Sequence, residues 1–460
     1  MSDRLDVRVR RGLIRVYEGG WHRRPVFPYW GALEASQWWT PAQLAALQLE
    51  RLQALLRTTQ ATSPWYAEQW RAIGLDAADA TSLDAFRRWP VIDRDTIRAN
   101  RVAMRSTTPG TRLIAKATGG SSGVPLQFDL DFDSNDRRMA AWHRGYGWAG
   151  AAPGTRQWYL WGVPPSSAAE WKKKKVRLYD RLYRRHTESC FDLSEANLPR
   201  FVASLESTRP DAIVAYTNAL YTFARMLEAS GITPYRPHSI VVGAEKLHDY
   251  QRTTIERVFG APVFETYGSR EFMLIGAECD FHQGLHLTME HLLVEILDDD
   301  GHPVHEGEVG NVTITDLTNH GMPFIRYANG DRAIAGGNAC GCGRGLPLLR
   351  EVTGRRLDVL TTPDGRSLPG EFFPHILKEL ASVRQFQVIQ DDPAAVTVRL
   401  VAPEWRDSDE AWLRREVAAT AGIALRLDLE RVTDIPLTAA GKLQVVVNRL
   451  ATASTAKEQV

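Results

Sequence analysis

The chain has 460 residues, of which 24% are charged and 44% are hydrophobic, a balance typical of a soluble globular protein rather than a disordered one. A chain of this length usually folds into two or more domains. The 56 lysines and arginines nearly equal the 55 aspartates and glutamates, which gives no overall attraction for nucleic acid or for an anionic membrane.

The first 20 residues are interrupted by charges every two or three positions, so they lack the apolar core of a signal peptide. No stretch reaches the roughly 18 apolar residues that a helix needs to cross a bilayer. We therefore expect a cytoplasmic protein without membrane insertion and without a nucleic-acid partner, present as a monomer or a homodimer. The basic run WKKKKVR at residues 171–177 is either a solvated helix face or a contact for an acidic or phosphorylated ligand.

In chain order, the first clear element is a helix that begins after Thr40, because leucine and alanine recur every three or four residues and threonine is a good helix cap. A short strand, a glycine-rich loop and an alternating strand follow over residues 111–131. Apolar strand candidates, such as 211–217 and 237–243, then alternate with helical segments. This alternation indicates a mostly parallel sheet with helices on both faces.

The pattern changes near residue 285. The segments 285–301 and 308–317 alternate apolar and polar residues, which predicts an antiparallel β unit. Beyond residue 358 the order of helix, two strands, helix and strand indicates a compact α+β domain of about 100 residues. The predicted fold class is therefore α/β, with a large N-terminal domain of several subdomains over residues 1–356 and a small, mobile α+β domain over residues 357–460.

The stretch TGGSSGVP at residues 118–125 offers small side chains, hydroxyl groups and accessible backbone N–H groups, which an anion-binding loop requires. It lacks the Gly-Lys-Ser/Thr ending of the common phosphate loop and the glycine spacing of the dinucleotide fingerprint. Taken alone, the stretch is either a phosphate-binding loop or a flexible turn.

Four further segments place polar residues after strand candidates, where open α/β sheets bind their ligands. In chain order they are VVGAEKL at 241–247, FETYGSREF at 264–272, IRYANGD at 325–331 and DIPLTAAGKLQ at 434–444. Each residue also has an ordinary interpretation: Tyr267 as a core aromatic residue, Glu271 as a first-turn helix residue, Asp331 as a turn residue and Lys442 as a surface lysine.

The five segments together resemble the adenylate-forming superfamily of acyl-CoA synthetases, adenylation domains and luciferases. Within it the chain is most similar to the phenylacetate–CoA ligase group and its relatives in capsule and exopolysaccharide gene clusters, over residues 40 to 450. The resemblance implies ATP and coenzyme A as cofactors, and an ATP site in which Tyr267 stacks on adenine and Asp331 binds the ribose. The implied ATP-binding residues are Thr118, Gly119, Gly120, Ser121, Ser122, Gly123, Gly243, Ala244, Glu245, Thr266, Tyr267, Gly268, Ser269, Asp331 and Arg355.

The resemblance also implies the catalytic residues. Glu271 would hold Mg²⁺, Lys442 would bridge the substrate carboxylate and the α-phosphate, and Asp358 would be the hinge about which the small domain rotates. The acyl pocket would bind an aryl or small organic acid, because the positions implied for it are mainly aromatic. They are Trp142, His143, Trp161 and Tyr216, together with Ala244 and Thr266; His143 would orient a carboxylate or lie on the helix surface.

Cysteine and histidine occur at short spacings in two loops. Cys279 and His282 are separated by two residues, and Cys340 and Cys342 by one. Four such ligands fit a structural Zn²⁺ site; the alternative is a set of unrelated thiols. Similar pairs in some members of the resembled group favour zinc, and the sequence leaves open whether His282 or His286 is the fourth ligand.

Two positions depart from the pattern of the resembled group. Val124 stands where the loop usually has lysine, so Lys116 or Lys246 would have to supply that charge, and Leu437 stands where arginine is frequent. The expected function is ATP-dependent activation of a carboxylic acid to an acyl-adenylate with release of pyrophosphate, followed by transfer to coenzyme A. The alternatives are transfer to an amine, hydroxyl or carrier-protein acceptor in polysaccharide or secondary-metabolite biosynthesis, and nucleotide binding without catalysis.

Overall fold

The computed structural model describes residues 4–118, 126–162, 170–337, 339–355, 360–361, 367–368, 372–377, 380, 382–421, 425–436 and 443–450. The chain divides into two compact units. The first comprises Met1–Asn329 and Ala333–Val352, and the second comprises Gly330–Arg332 and Thr353–Val460. The domain boundary predicted between residues 356 and 357 stays a prediction, because residues 356–359 lie outside the described part.

The helices of the first unit are α1 (Leu5–Arg15), α2 (Val26–Ser36), α3 (Pro41–Thr62), α4 (Pro64–Ala72), α5 (Leu83–Phe86), α6 (Arg94–Asn100), α7 (Phe132–Trp148), α8 (Glu170–Tyr183), α9 (Leu198–Thr208), α10 (Thr217–Ala229) and α11 (Asp249–Phe259). A π-helical turn, Val16–Trp21, follows α1. The predicted cap of α3 is confirmed, because the Thr40 hydroxyl accepts a hydrogen bond of 3.3 Å from the backbone of Gln43. Among the described residues, no helix combines the length and the hydropathy that crossing a membrane requires.

The strands up to residue 355 are β1 (Leu113–Ala117), β2 (Gln127–Asp131), β3 (Gln157–Trp161), β4 (Arg185–Ser189), β5 (Ala212–Tyr216), β6 (Ser239–Gly243), β7 (Val263–Tyr267), β8 (Gly276–Glu278), β9 (Leu285–Leu287), β10 (Leu292–Leu297), β11 (Val309–Asp316), β12 (Tyr327–Ala335) and β13 (Leu348–Arg355). β1 and β2 form an antiparallel pair. The other eleven strands form one sheet in the order β10-β11-β12-β13-β9-β8-β7-β6-β5-β3-β4.

The eleven-stranded sheet changes character between β7 and β8. Strands β4, β3, β5, β6 and β7 are parallel, and every residue of β5 and β6 is buried, as expected where helices cover both faces. β8 joins β7 in antiparallel fashion. The antiparallel part therefore begins earlier than the predicted position near residue 285, because β8 has only three residues and leaves no alternating pattern.

The second unit contains α12 (Phe372–Leu377), α13 (Asp407–Ala421), β14 (Leu360–Thr361), β15 (Ser367–Leu368), β16 (Gln385–Asp392), β17 (Ala395–Val401), β18 (Arg426–Arg431) and β19 (Val446–Asn448). Four of these strands form a sheet in the order β18-β17-β16-β19. Its core includes Leu413 of α13 packed with Val396 and Val398 of β17. The predicted α/β fold class, with a large mixed sheet and a separate small α+β domain, is confirmed.

Candidate active site

Three parallel strands end at one edge of the sheet. β5 ends at Tyr216, β6 at Gly243 and β7 at Tyr267, and the register pairs Tyr216 with Gly243. Ligands of open α/β sheets bind at the carboxyl ends of the strands. The fold therefore brings the predicted adenine segment, the Tyr-Gly motif and one predicted acyl-pocket residue to the same edge.

The turn after β6 lies close against β7. A Cβ atom added at Gly243 would lie 2.5 Å from Thr266 Oγ1, so the two strand ends touch without room for a side chain. Ala244 has a φ of +70°, a left-handed conformation that residues other than glycine seldom adopt. The Glu245 carboxylate accepts a hydrogen bond of 2.9 Å from the backbone of Asn218. Such strained and fixed turns are common at ligand sites.

The turn after β7 is equally constrained. A Cβ atom at Gly268 would lie 2.0 Å from the carbonyl oxygen of Met273, so glycine is required there. Ser269 Oγ accepts a hydrogen bond of 3.2 Å from the backbone N–H three residues later. The hydroxyl of the buried Tyr267 accepts a hydrogen bond of 2.7 Å from Asn329 Nδ2. The Tyr267 side chain is thereby fixed at this edge of the sheet.

Glu271 lies in the same turn, with 7% of its surface exposed. Arg138 of α7 donates a hydrogen bond to the backbone carbonyl oxygen of Glu271 and forms a buried ion pair with Asp316. The Glu271 carboxylate has a long contact of 3.5 Å from the Tyr327 hydroxyl, and it forms no salt bridge with any residue that the structure describes. Glu271 is therefore a buried carboxylate in a turn whose backbone is fixed by Arg138.

Basic side chains lie at the start of the predicted phosphate loop. Arg94 Nη2 donates a hydrogen bond of 2.6 Å to Thr118 Oγ1, and Arg270 Nε donates one of 3.3 Å to the carbonyl oxygen of Ala117. Burial, together with repulsion from Arg270, lowers the pKa of Lys116 on the neighbouring strand. The sequence does not predict a role for either arginine: Arg94 lies in no motif, and Arg270 lies within the segment FETYGSREF without being one of the residues that the resemblance implies.

Arg94 reaches this position through a long-range contact. Ile92 forms a parallel β-bridge with Tyr327 at the start of β12, and this bridge fixes the beginning of α6. Lys246, the other lysine considered as a replacement at the phosphate loop, instead forms an ion pair of 2.5 Å with Glu351. Arg94 and Arg270 are the cations seen in contact with residues 117 and 118, at the N-terminal end of the loop.

The predicted phosphate loop lies almost wholly outside the described residues. At its base, Thr118 N donates to the Leu126 carbonyl oxygen and Thr118 Oγ1 accepts from Leu126 N, each at 2.9 Å. Asp331 lies within β12, and Arg355 ends β13. The sequence-predicted positions outside the described residues are Gly119, Gly120, Ser121, Ser122, Gly123, Val124, Asp358, Leu437 and Lys442.

Aromatic rings cover the face of the parallel sheet beneath α7. The rings of Trp161 and Tyr216 have centroids 4.2 Å apart, and Tyr159 lies 6.5 Å from Trp161. From α7, Trp142 and Tyr146 pack 5.0 Å apart in the same cluster. These five rings, of Trp142, Tyr146, Tyr159, Trp161 and Tyr216, are here called the aromatic wall. Three of them, Trp142, Trp161 and Tyr216, are predicted acyl-pocket residues.

His143 is fully buried, so its alternative interpretation as a helix-surface residue is wrong. Its ring neighbours are Phe27, Trp30, Trp142 and Tyr183. Burial, reinforced by the positive charge of Arg185, holds the pKa of His143 well below its usual value. The neutral imidazole packs α7 against α2. Its ring neighbours do not include Trp161 or Tyr216, the predicted acyl-pocket residues at the end of the strands.

Three cysteines and one histidine form a compact cluster, here called the Cys/His cluster. The ligand atoms of Cys279, His286, Cys340 and Cys342 lie within 4.8 Å of one another. The Cys279 and Cys340 sulfur atoms are 3.7 Å apart, and Cys342 Sγ is 3.3 Å from His286 Nε2. Two ligands of a tetrahedral zinc ion would be about 3.8 Å apart for a sulfur–sulfur pair and about 3.6 Å apart for a sulfur–nitrogen pair. His286 Nδ1 faces the Leu346 carbonyl oxygen at 3.3 Å, which directs the Nε2 lone pair at the cluster.

Of the two histidines that the sequence leaves open, the structure brings His286 and not His282 into the Cys/His cluster. His282 Nδ1 contacts the Glu278 carboxylate at 3.2 Å and lies 3.4 Å from Arg252, so its ring is engaged on another side of the loop. His286 stands in β9, which pairs with β8 immediately before Cys279. The register of this strand pair, rather than the spacing in the sequence, selects the histidine.

Comparisons with known proteins agree with this fold. Residues 360–449 match the family described as the CapK C-terminal domain. The chain is 24% identical over 438 residues to the phenylacetate-coenzyme A ligase of Thermus thermophilus, covering 88% of this chain and 96% of that protein. It is 23% identical over 425 residues to protein CapK of Staphylococcus aureus, covering 88% and 90%.

Among solved structures, 2-hydroxyisobutyryl-CoA ligase in the postadenylation state, in complex with R3-HIB-AMP, matches with a TM-score of 0.71 at 18% identity, covering 91% of this chain and 92% of that chain. The chain is therefore similar in sequence to phenylacetate-coenzyme A ligases and to protein CapK, and it shares the fold of 2-hydroxyisobutyryl-CoA ligase.

Proposed function

We propose that this protein is an AMP-forming acid–thiol ligase, which converts a carboxylic acid and ATP to an acyl-adenylate and then transfers the acyl group to coenzyme A. The observation that carries the proposal is the convergence of Gly243, Tyr267 and Glu271 at one edge of the sheet. Similarity to phenylacetate–CoA ligases over most of the chain supports the same chemistry. The aromatic wall favours an aryl or small organic acid as the substrate.

The nucleotide would bind along the ends of β6 and β7. Adenine would lie against the backbone of residues 243–245 and the ring of Tyr267, and Asp331 would accept hydrogen bonds from both ribose hydroxyls. Arg94, next to Thr118, would bind phosphate oxygens through charge-assisted hydrogen bonds. In this arrangement Arg94 and Arg270 supply the positive charge that the loop lacks at Val124.

Glu271 fits a magnesium ligand. Its carboxylate is buried and without a salt bridge among the described residues, and a hard divalent cation prefers such an oxygen ligand shared with phosphate. Mg²⁺, when bound, would offset the negative charge of the phosphates. Arg138 would keep Glu271 in place through its backbone carbonyl.

In the first step, a carboxylate oxygen of the substrate attacks the α-phosphorus of ATP, and the bond from that phosphorus to pyrophosphate breaks. Two anions approach each other, so cations must stabilise the transition state, and Lys442 would bridge them. The small domain, residues 357–460, would then rotate about Asp358. In the second step the thiolate of coenzyme A attacks the acyl carbonyl carbon, and AMP leaves.

The Cys/His cluster would hold a structural Zn²⁺. All four ligands come from the protein, which leaves no open position for catalysis. Burial lowers the pKa of His286 to about 4, so the imidazole is neutral, as a metal ligand must be. The zinc would tie the loop after β8 to the loop that precedes β13.

ATP–pyrophosphate exchange with a panel of aryl and short-chain acids tests the proposal. We expect acid-dependent exchange, and formation of the acyl–CoA thioester, detected by mass, when coenzyme A is added. Exchange without formation of a thioester would indicate that the acyl group is transferred to an amine, hydroxyl or carrier-protein acceptor instead of coenzyme A. ATP binding without exchange for any acid would contradict the proposal. A cytoplasmic location and a monomeric or homodimeric state stay predictions.

A further inference from the structure

Arg185 lies at the inner end of the aromatic wall. It is the first residue of the edge strand β4 and pairs in register with Gln157, the first residue of β3. Paired residues of neighbouring strands share a face, and on β3 that face carries Gln157, Tyr159 and Trp161. The Arg185 row lies four residues, or about 13 Å, from the Trp161 row at the ligand-binding edge.

The Arg185 guanidinium is surrounded by aromatic faces. Its central carbon lies 4.5 Å from the ring centroid of Trp142, 4.6 Å from Tyr183, 5.7 Å from Tyr159 and 5.8 Å from Tyr179. Each distance is within the range of a cation–π interaction. Two of the hydroxyl groups are engaged elsewhere, since Tyr159 donates to Gln157 and Tyr183 to Glu18. The rings hold the cation in place without giving it an oxygen acceptor.

Arg185 is only partly buried, and its partners differ from those of the buried arginines of the same unit. Arg138 is paired with Asp316 and Arg144 with Glu290, and all four side chains are buried. For Arg185, the described residues provide no carboxylate within salt-bridge distance, although Asp180 lies near enough to favour its charged form. The Nε atoms of all three arginines lack a hydrogen-bond partner among the described residues, so the missing carboxylate is what distinguishes Arg185. A guanidinium offers five N–H donors, and a buried polar group without an acceptor is costly.

The position of Arg185 explains how this donor set can be used. Tyr159 lies between Arg185 and Trp161 on β3, and Trp161 packs on Tyr216 at the edge where the adenylate would form. An acid that enters from this edge would pass Trp161 and Tyr159 before its far end meets the guanidinium.

Building on the proposed function, we propose that Arg185 forms the far end of the acyl pocket and selects acids that carry a second oxygen acceptor, such as a carboxylate or a phenolic hydroxyl, opposite the carboxylate that is activated. The ligand oxygen supplies the acceptor that the protein does not. The aromatic faces orient the guanidinium, and the charge-assisted hydrogen bond gives the selectivity.

The test measures binding of free acids to the full-length protein by quenching of tryptophan fluorescence. Phenylacetate is compared with 4-hydroxyphenylacetate and 4-carboxyphenylacetate. We expect the wild-type protein to bind the substituted acids at least tenfold more tightly, and Arg185→Met to reduce that preference ten- to hundredfold while changing the affinity for phenylacetate less than about threefold. Arg185→Lys should retain part of the preference, and Arg181→Met, at an exposed position of α8, should retain all of it.

The outcomes separate the two proposals. An equal loss of affinity for all three acids in Arg185→Met would show a purely structural role for Arg185. The inference would also be overturned if the wild-type protein bound the three acids equally well, or if it bound none of them. Selective binding without ATP–pyrophosphate exchange would contradict the proposed function and keep the pocket. If Arg185→Met does not fold, the preference of Arg185→Lys relative to Arg181→Met decides.

Discussion

Arg138 donates a hydrogen bond to the backbone carbonyl oxygen of Glu271, so a side chain of α7 fixes the turn that carries the proposed magnesium ligand. The same guanidinium is ion-paired with the buried Asp316. Burial opposes ionisation of Asp316, but Arg138 and nearby hydrogen bonds hold its pKa below the usual value. The pair therefore couples the stability of the sheet to the geometry of the site.

Arg138→Met should lower the free energy of unfolding by about 3–5 kcal/mol, because it leaves the Asp316 charge buried without a partner. Urea denaturation measures the change. Arg137→Met is the matched control, since Arg137 pairs with Asp133, whose side chain is 52% exposed, and such pairs contribute less than about 1 kcal/mol. Equal effects of the two substitutions would show that burial of the Arg138 pair is unimportant.

Glu271→Gln should reduce the rate of ATP–pyrophosphate exchange by about a hundredfold or more and raise the Mg²⁺ concentration needed for half-maximal rate, because an amide is a poor ligand for Mg²⁺. A magnesium titration at saturating ATP measures both effects. Tyr327→Phe keeps the ring and removes the 3.5 Å contact to the carboxylate, so we expect a change of less than about threefold. An unaltered magnesium dependence in Glu271→Gln would reject the assignment.

Arg94→Met should lower kcat/KM for ATP by about tenfold or more, because a charge-assisted contact to phosphate is lost. Initial rates of exchange at varied ATP provide the measurement. Arg98→Met, on the same helix, removes an exposed pair with Asp95 and should leave kcat/KM unchanged. If both variants have the kcat/KM of the wild-type protein, Arg94 does not replace the lysine that the resembled group has at the position of Val124.

Purified protein should contain about one zinc ion per chain, and His286→Ala should lose it while His282→Ala keeps it. Elemental analysis after dialysis gives the stoichiometry, and a chelator should lower the Tm of the wild-type protein. The reverse pattern, with zinc lost only in His282→Ala, would contradict the geometry of the cluster.

The ionisation of Glu265 should lower the free energy of unfolding as the pH rises. Burial, together with the nearby Glu278, raises the pKa of Glu265 to about 7, whereas an unfolded glutamate has a pKa of about 4.3. Between these values the folded state holds a proton that the unfolded state releases, so this contribution decreases by about 1.4 kcal/mol per pH unit and levels off above pH 7.

The measurement is the difference in unfolding free energy between the wild-type protein and Glu265→Gln from pH 4.5 to 7.5. The difference is needed because His291, whose pKa burial lowers to about 4, contributes with the opposite sign below its usual pKa of about 6.5. A difference that does not vary with pH would contradict the raised pKa of Glu265.

Local patterns were sufficient for much of the fold. The apolar runs of β5 and β6, and the cap at Thr40, have one physical interpretation each, because full burial and helix capping are set by neighbouring residues. The placement of Arg94 has no such local cause. It depends on the bridge between Ile92 and Tyr327, which are far apart in the sequence.

The selection of His286 over His282 has a similar reason. Both histidines lie within a few residues of Cys279, and only the pairing of β9 with β8 places one ring beside Cys342. Strand register over such short segments depends on tertiary packing. Arg185 is likewise an ordinary residue in the sequence, and only its enclosure by rings from α7, α8 and β3 distinguishes it.

The Cys/His cluster has a thermodynamic consequence for the nucleotide. β8, which ends one residue before Cys279, pairs with β7 through Tyr267 and Gly276, so the proposed metal ligands and the proposed adenine-binding strand belong to one ladder of hydrogen bonds. If occupancy of the metal site orders this ladder, zinc must tighten ATP binding, and by reciprocity ATP must slow the loss of zinc to the same extent in free energy. The metal would then raise the affinity for ATP without contacting the nucleotide.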